Sequence, residues 1–98
     1  MKTKTEILNF LKQNKNYIQD NYSVNKIALF GSFARDEATP DSDIDILVDM
    51  PSSKSSFDNF YDLKYFLEDE FKTKVDLGKE KSLRLFIKDK IQKDLIYV

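Results

Sequence analysis

Ninety-eight residues leave room for one hydrophobic core and not for two. Charged residues reach 34% of the chain, yet the formal net charge is only -1, so no strong net field draws it to nucleic acid or to a membrane. Cys and His are both absent, which excludes disulfides, thiolate zinc sites and the usual general base.

Carboxylates must therefore carry any metal or acid–base chemistry. The N-terminus has no apolar run behind it and does not read as a signal peptide. No segment approaches the length of a membrane span. The expectation is a cytoplasmic, soluble domain covering residues 1–98, with no membrane and no direct nucleic-acid partner.

From about Thr3 to Tyr22 the apolar positions Ile7, Leu8, Leu11, Ile18 and Tyr22 recur near helical spacing, which predicts one amphipathic helix. Thr3 followed by Glu6 resembles a capping box and marks its start. Val24 to Phe30 is an apolar run that predicts a first strand. It ends in Gly31-Ser32, and Ser32 to Arg35 has room for the first turn of a short helix, whose N–H groups favour an anion. Asp36 to Asp41, with Pro40 inside it, reads as a loop.

Asp43 to Met50 alternates acid and aliphatic residues, the period of a strand, and its short connection to the first strand suggests an antiparallel neighbour. Pro51 to Ser56 is polar loop. Ser55 or Ser56 is placed to cap a helix from about Phe57 to Phe71, with Phe60, Leu63, Leu67 and Phe71 on one stripe and Tyr61 and Tyr65 beside it. Such aromatic stripes are ordinarily core. Lys74 to Gly78 reads as a short strand ending in glycine. Ser82 opens a last helix with Leu83, Ile87, Ile91 and Leu95 at successive i+4 positions. The apolar ending Leu95 to Val98 is expected to pack. Helix, strand, strand, helix, strand, helix makes an α+β fold, a small mixed sheet packed against helices.

The chemistry concentrates between Ile27 and Met50. In a strand, Asp43 and Asp45 point to one face while Ile44, Ile46 and Val48 point to the other. Neighbouring carboxylates repel unless a cation lies between them, and hard oxygen ligands favour magnesium or manganese completed by phosphates. A small Gly31-Ser32 turn lets backbone N–H groups approach those phosphates. A phosphate cradle followed by a metal-binding acid pair implies nucleotide chemistry.

Gly31-Ser32-Phe33-Ala34-Arg35 followed by Ser42-Asp43-Ile44-Asp45 resembles the nucleotidyltransferase superfamily of DNA polymerase β. The size and the element order resemble its minimal branch, the MNT proteins, over most of the chain. The resemblance implies that Asp43 and Asp45 bind two Mg2+ ions (Mn2+ in their place), and that Asp76 is the third carboxylate. It implies that Gly31 and Ser32 hold the β- and γ-phosphates of ATP, and that Arg35 contacts a phosphate. One departure stands out. The family often has Gly after the basic residue, where this chain has Asp36, a negative charge near the expected phosphates.

Members of this branch are often paired with an HEPN-domain ribonuclease toxin, in type VII toxin–antitoxin systems. There the MNT antitoxin transfers AMP from ATP to a tyrosine of the toxin. The resemblance thus implies a protein adenylyltransferase antitoxin with an HEPN toxin as partner. Two alternatives remain: an antitoxin that neutralises by binding alone, and a small-molecule nucleotidyltransferase, for which this chain has no room for an acceptor domain. Taken singly, Gly31-Ser32 is also a plain turn, and Asp43, Asp45 and Asp76 are also solvated strand acids. Arg35 is equally placed to pair with Asp36 or Glu37. The many Lys from Lys72 to Lys93 read as solvated helix faces, or as a docking surface.

Overall fold

Thr3 caps the first helix as its spacing to Glu6 predicts: the Thr3 hydroxyl accepts from the Glu6 N–H at 3.2 Å, and a Glu6 carboxylate oxygen accepts from the Thr3 N–H at 3.1 Å. The structure is a computed structural model, and it describes residues 2–51, 54–84 and 92–98. The single helix expected from Thr3 to Tyr22 is two, α1 (Lys4–Gln13) and α2 (Lys15–Tyr22). Asn14 divides them: its backbone leaves the helical range at φ -105 and ψ 10, while its N–H still donates to the Phe10 carbonyl at 3.0 Å and its side-chain amide donates to the same oxygen at 2.9 Å. Ser23, left-handed at φ 58, closes α2. Ile7, Leu11 and Ile18 still share one buried face across the break.

Strand β1 (Lys26–Phe30) runs straight into α3 (Gly31–Ala34), a single helical turn. Thr39-Pro40-Asp41-Ser42 then reverses the chain, with the Ser42 N–H donating to the Thr39 carbonyl at 3.0 Å and the Ser42 hydroxyl accepting from the Thr39 N–H at 2.9 Å. Strand β2 (Ile44–Asp49) begins one residue later than expected, so Asp43 stands just outside it. Helix α4 (Lys54–Phe71) starts before the expected caps, and Ser55 and Ser56 lie in its first turn instead of preceding it.

Strand β3 (Val75–Lys79) continues past Gly78 to Lys79, and α5 (Glu80–Arg84) follows at once, two residues ahead of the Ser82 start. Of the i+4 series expected in a last helix, Ile87 and Ile91 lie outside the described residues. Leu95, expected in that helix, lies outside it and precedes a fourth strand, β4 (Ile96–Tyr97), that the expected order lacked, because the ending pairs with β1. Ile96 and Val98 pack against the core, as an apolar ending predicts.

The sheet order is β3-β2-β1-β4. β1 pairs antiparallel with β2, as the short connection predicts, and with β4; β2 pairs parallel with β3 through the α4 crossover. Ile27, Leu29, Ile44, Ile46, Val48, Val75 and Leu77 form the core face, packed on Ile7, Leu11, Ile18, Leu63 and Leu67 of the helices. Alternation sends Ala28 and Phe30 of β1, Asp45 and Leu47 of β2, and Asp76 of β3 to the opposite face. The aromatic stripe of α4 divides accordingly: Leu63, Leu67 and Phe71 are buried, while Tyr61 and Tyr65 face outward. Among the described residues, no helix is long and apolar enough to cross a membrane.

Candidate active site

Register brings the acids together. Phe30 at the end of β1 is the partner of Asp45, and Asp45 is the partner of Asp76 across the parallel pair. One sheet end therefore carries the turn at Gly31 and two carboxylates on adjacent strands. Asp43 precedes Asp45 by two residues, and its charge reaches the Asp45 carboxyl. Among the described residues no three acidic side chains close into a ready-made cage. Asp43 and Asp76 are exposed and Asp45 is half-buried between them.

That burial sets the electrostatics. Desolvation first, and then the charges of Asp76 and Asp43, together raise the Asp45 carboxyl from 3.8 to about 6 against the pull of Arg35. Negative charge here is incompletely compensated by the chain itself. The donors are all hard carboxylate oxygens, which fits a divalent cation of the magnesium or manganese type.

Gly31 is required twice over. Its φ is +76, a conformation that L side chains rarely adopt. A Cβ placed on it would overlap Oδ2 of Asp45 and lie 2.9 Å from its Cγ. The glycine thus makes space for the very carboxylate that the strand register delivers. Ser32 follows it in the first turn of α3.

Asp36, where the resemblance leads one to expect glycine, has φ 58. The backbone keeps the left-handed turn that glycine favours, and Asp is among the residues that tolerate it best. Its carboxylate is directed at Lys4, 3.7 Å from Nζ.

Arg35 is tied on two sides. Its Nε donates to Oε2 of Glu37 at 3.0 Å and its Nη1 to Oδ2 of Asp94 at 2.6 Å. Pairing with Glu37 was one of the two surface alternatives legible in the sequence; pairing with Asp36 does not occur among the described contacts. Asp94 was not foreseen. It directly follows the lysine-rich stretch, Lys72 to Lys93, read as solvated, and the one hint was the apolar ending that begins at the next residue. The Tyr97 hydroxyl donates to Oε1 of the buried Glu80 at 2.9 Å; Tyr97 belongs to the ending expected to pack, but no local pattern names that partner.

A strand running into Gly31-Ser32, Asp43 and Asp45 at the start of its antiparallel neighbour and a third strand acid in register are the features in which the chain resembles a nucleotidyltransferase. The sequence signature of the nucleotidyltransferase domain family matches residues 9–98, and the chain belongs to that family. It is 44% identical over 100 residues, the full length of both, to a chain provisionally named a protein adenylyltransferase in Methanocaldococcus jannaschii. To the protein adenylyltransferase MntA of Thermococcus cleftensis it is 36% identical over 98 residues, all of this chain and 98% of that one. Its fold also resembles a crystal structure of a toxin–antitoxin with AMP-PNP, with TM-score 0.57 and 23% identity, covering 72% of this chain and 58% of that one.

Proposed function

We propose that this chain is a protein adenylyltransferase antitoxin, which transfers AMP from ATP to a tyrosine hydroxyl of a partner HEPN ribonuclease toxin. The observation that carries the nucleotidyl-transfer chemistry is the register of Asp45 with Asp76 beside Gly31. The acceptor class rests on the relatives that are named protein adenylyltransferases and span the whole chain. A toxin as partner is supported by the likeness in fold to a toxin–antitoxin structure. The HEPN fold of that toxin and its tyrosine rest on the resemblance to the MNT branch.

Asp43, Asp45 and Asp76 are the residues that hold divalent cations in this reading. Divalent cations held by these three residues would supply positive charge to the attacking and leaving oxygens and would acidify the acceptor hydroxyl. The chain's own part is placement. Gly31 and Ser32 present the start of α3 to the β- and γ-phosphates, at the sheet end that carries Asp45 and Asp76. Asp76, at the exposed end of β3, faces the acceptor side and accepts the proton of the attacking tyrosine. The tyrosine oxygen bonds to the α-phosphorus as the bond to the β-phosphate oxygen breaks, and pyrophosphate leaves. Arg35 contacts a phosphate once the nucleotide is seated. Positioning and charge suffice here, so the reaction proceeds without His or Cys.

Co-expression of this chain with the product of the neighbouring gene, followed by intact mass analysis, tests the proposal. One or more AMP units on a partner tyrosine, absent with Asp43→Ala and Asp45→Ala together, supports it. A tight complex without adduct, protected equally by the double variant, replaces it with neutralisation by binding. Neither adduct nor complex favours a small-molecule acceptor.

A further inference from the structure

We propose that Asp94 is a positioning residue that guards Arg35 and thereby sets nucleotide affinity. This rests on the reading above, in which Arg35 meets a phosphate. Arg35 lies three residues after Ser32, yet its guanidinium is held by two carboxylates, Glu37 at 3.0 Å and Asp94 at 2.6 Å. The two partners differ in kind. Glu37 is exposed, whereas the Asp94 side chain is only 17% exposed and makes the shorter bond, 2.6 Å against 3.0 Å, so Asp94 is the better-ordered of two partners that share one half-exposed guanidinium.

Nor is Asp94 on a loose end. Two residues later Ile96 pairs with Leu29 of β1, and the Val98 N–H donates to the Ile27 carbonyl at 3.1 Å. The Tyr97 hydroxyl reaches Glu80, just beyond β3. Asp94 is thereby fixed to the same sheet that presents Asp45, 59 residues away in sequence from the Arg35 it holds.

A guanidinium that already faces two carboxylates has a local net charge of -1, a poor receptor for a triphosphate. It keeps three of its five N–H donors, but a phosphate gains its full attraction only by displacing a carboxylate. The anion competes with Asp94 for one cation. Nucleotide binding therefore carries the cost of opening the Arg35–Asp94 pair, and it slackens the segment that leads into β4. Removing the Asp94 charge frees Arg35 for phosphate in advance.

The test is titration of the full chain with the magnesium complex of a nonhydrolysable ATP analogue, alongside steady-state AMP transfer. Asp94→Asn is expected to bind the nucleotide about twofold to fivefold more tightly, with KM for ATP falling by the same factor and kcat near that of the wild type. Asp94→Glu should restore the wild-type KM, and Glu37→Gln should lower it less. In the wild type, amide exchange at Val98 should quicken when the analogue binds. A simple structural staple would instead lower Tm in Asp94→Asn with KM unchanged, and that result overturns the proposal, as does a KM that rises. If Asp94→Asn does not fold, an unchanged KM in Glu37→Gln together with unchanged exchange at Val98 overturns it. A wild type that does not bind the nucleotide refutes the functional reading and this inference together. A wild type that binds while Asp94→Asn and Glu37→Gln match it refutes this inference alone.

Discussion

Asp45→Asn should make the metal-free protein more stable while removing its chemistry. The Asp45 carboxyl rises from 3.8 to about 6 on folding, first through burial and then through Asp76 and Asp43. Between those values the folded chain holds a proton that the unfolded chain has lost, so stability falls as pH rises through the window. Above pH 7 both states are ionised, and the folded state carries the whole penalty. Two pK units correspond to about 3 kcal/mol, which solvent screening of a half-exposed carboxyl reduces to about 1–2 kcal/mol. Asn is nearly isosteric and cannot ionise. In EDTA at pH 7.5, Asp45→Asn should melt about 4–8 °C above the wild type for each kcal/mol regained. The difference should shrink towards pH 4, and magnesium should raise the wild type more than the variant. Thermal unfolding followed by circular dichroism across pH 4–8 measures all three. A variant that melts at or below the wild type at pH 7.5 in EDTA refutes the account of an uncompensated carboxylate cluster.

Two further substitutions probe the frame around that cluster. Gly31→Ala meets both a positive φ and the Asp45 carboxylate, so it should cost about 2 kcal/mol or more and abolish binding of the magnesium nucleotide. An unchanged Tm would show that the turn has another conformation. Leu67→Ala empties a fully buried position on α4 and should cost about 2–5 kcal/mol in urea unfolding. A loss well under that range would mean that α4 does not close the core face as described.

Local chemistry made much of this molecule legible. The Thr3–Glu6 spacing is a bond pattern within one turn, and it forms as written. Ile44, Ile46 and Val48 alternate with Asp45 and Asp49, and the burial follows. Both signals act over a few residues, where the chain has few choices. The break at Asn14 was harder, because a helical apolar period persists across it, and the one departure is the Asn14 backbone itself, at φ -105 and ψ 10. Boundaries near Lys54 and Glu80 shifted because polar residues there carry no periodicity to mark an end.

For the site, Gly31 and Asp45 could be named from the sequence, but not the reason that one requires the other. Their contact is a product of β1–β2 register, with Phe30 opposite Asp45. Asp36 illustrates the reverse case: residue type suggested a departure, and the backbone at φ 58 keeps the glycine-like turn. Asp94 lay beyond any local rule. A contact across 59 residues depends on β4 joining β1, and a two-residue strand leaves almost no pattern to read.

The central claim is tested most directly by following which phosphate of ATP reaches protein. The chain is incubated with magnesium and its candidate toxin, using ATP labelled at the α-phosphate in one reaction and at the γ-phosphate in another. The account predicts label on the toxin from α-labelled ATP only, and none when Asp43 and Asp45 are both Ala. Label from the γ-position, or α-label that persists in the double variant, would contradict it.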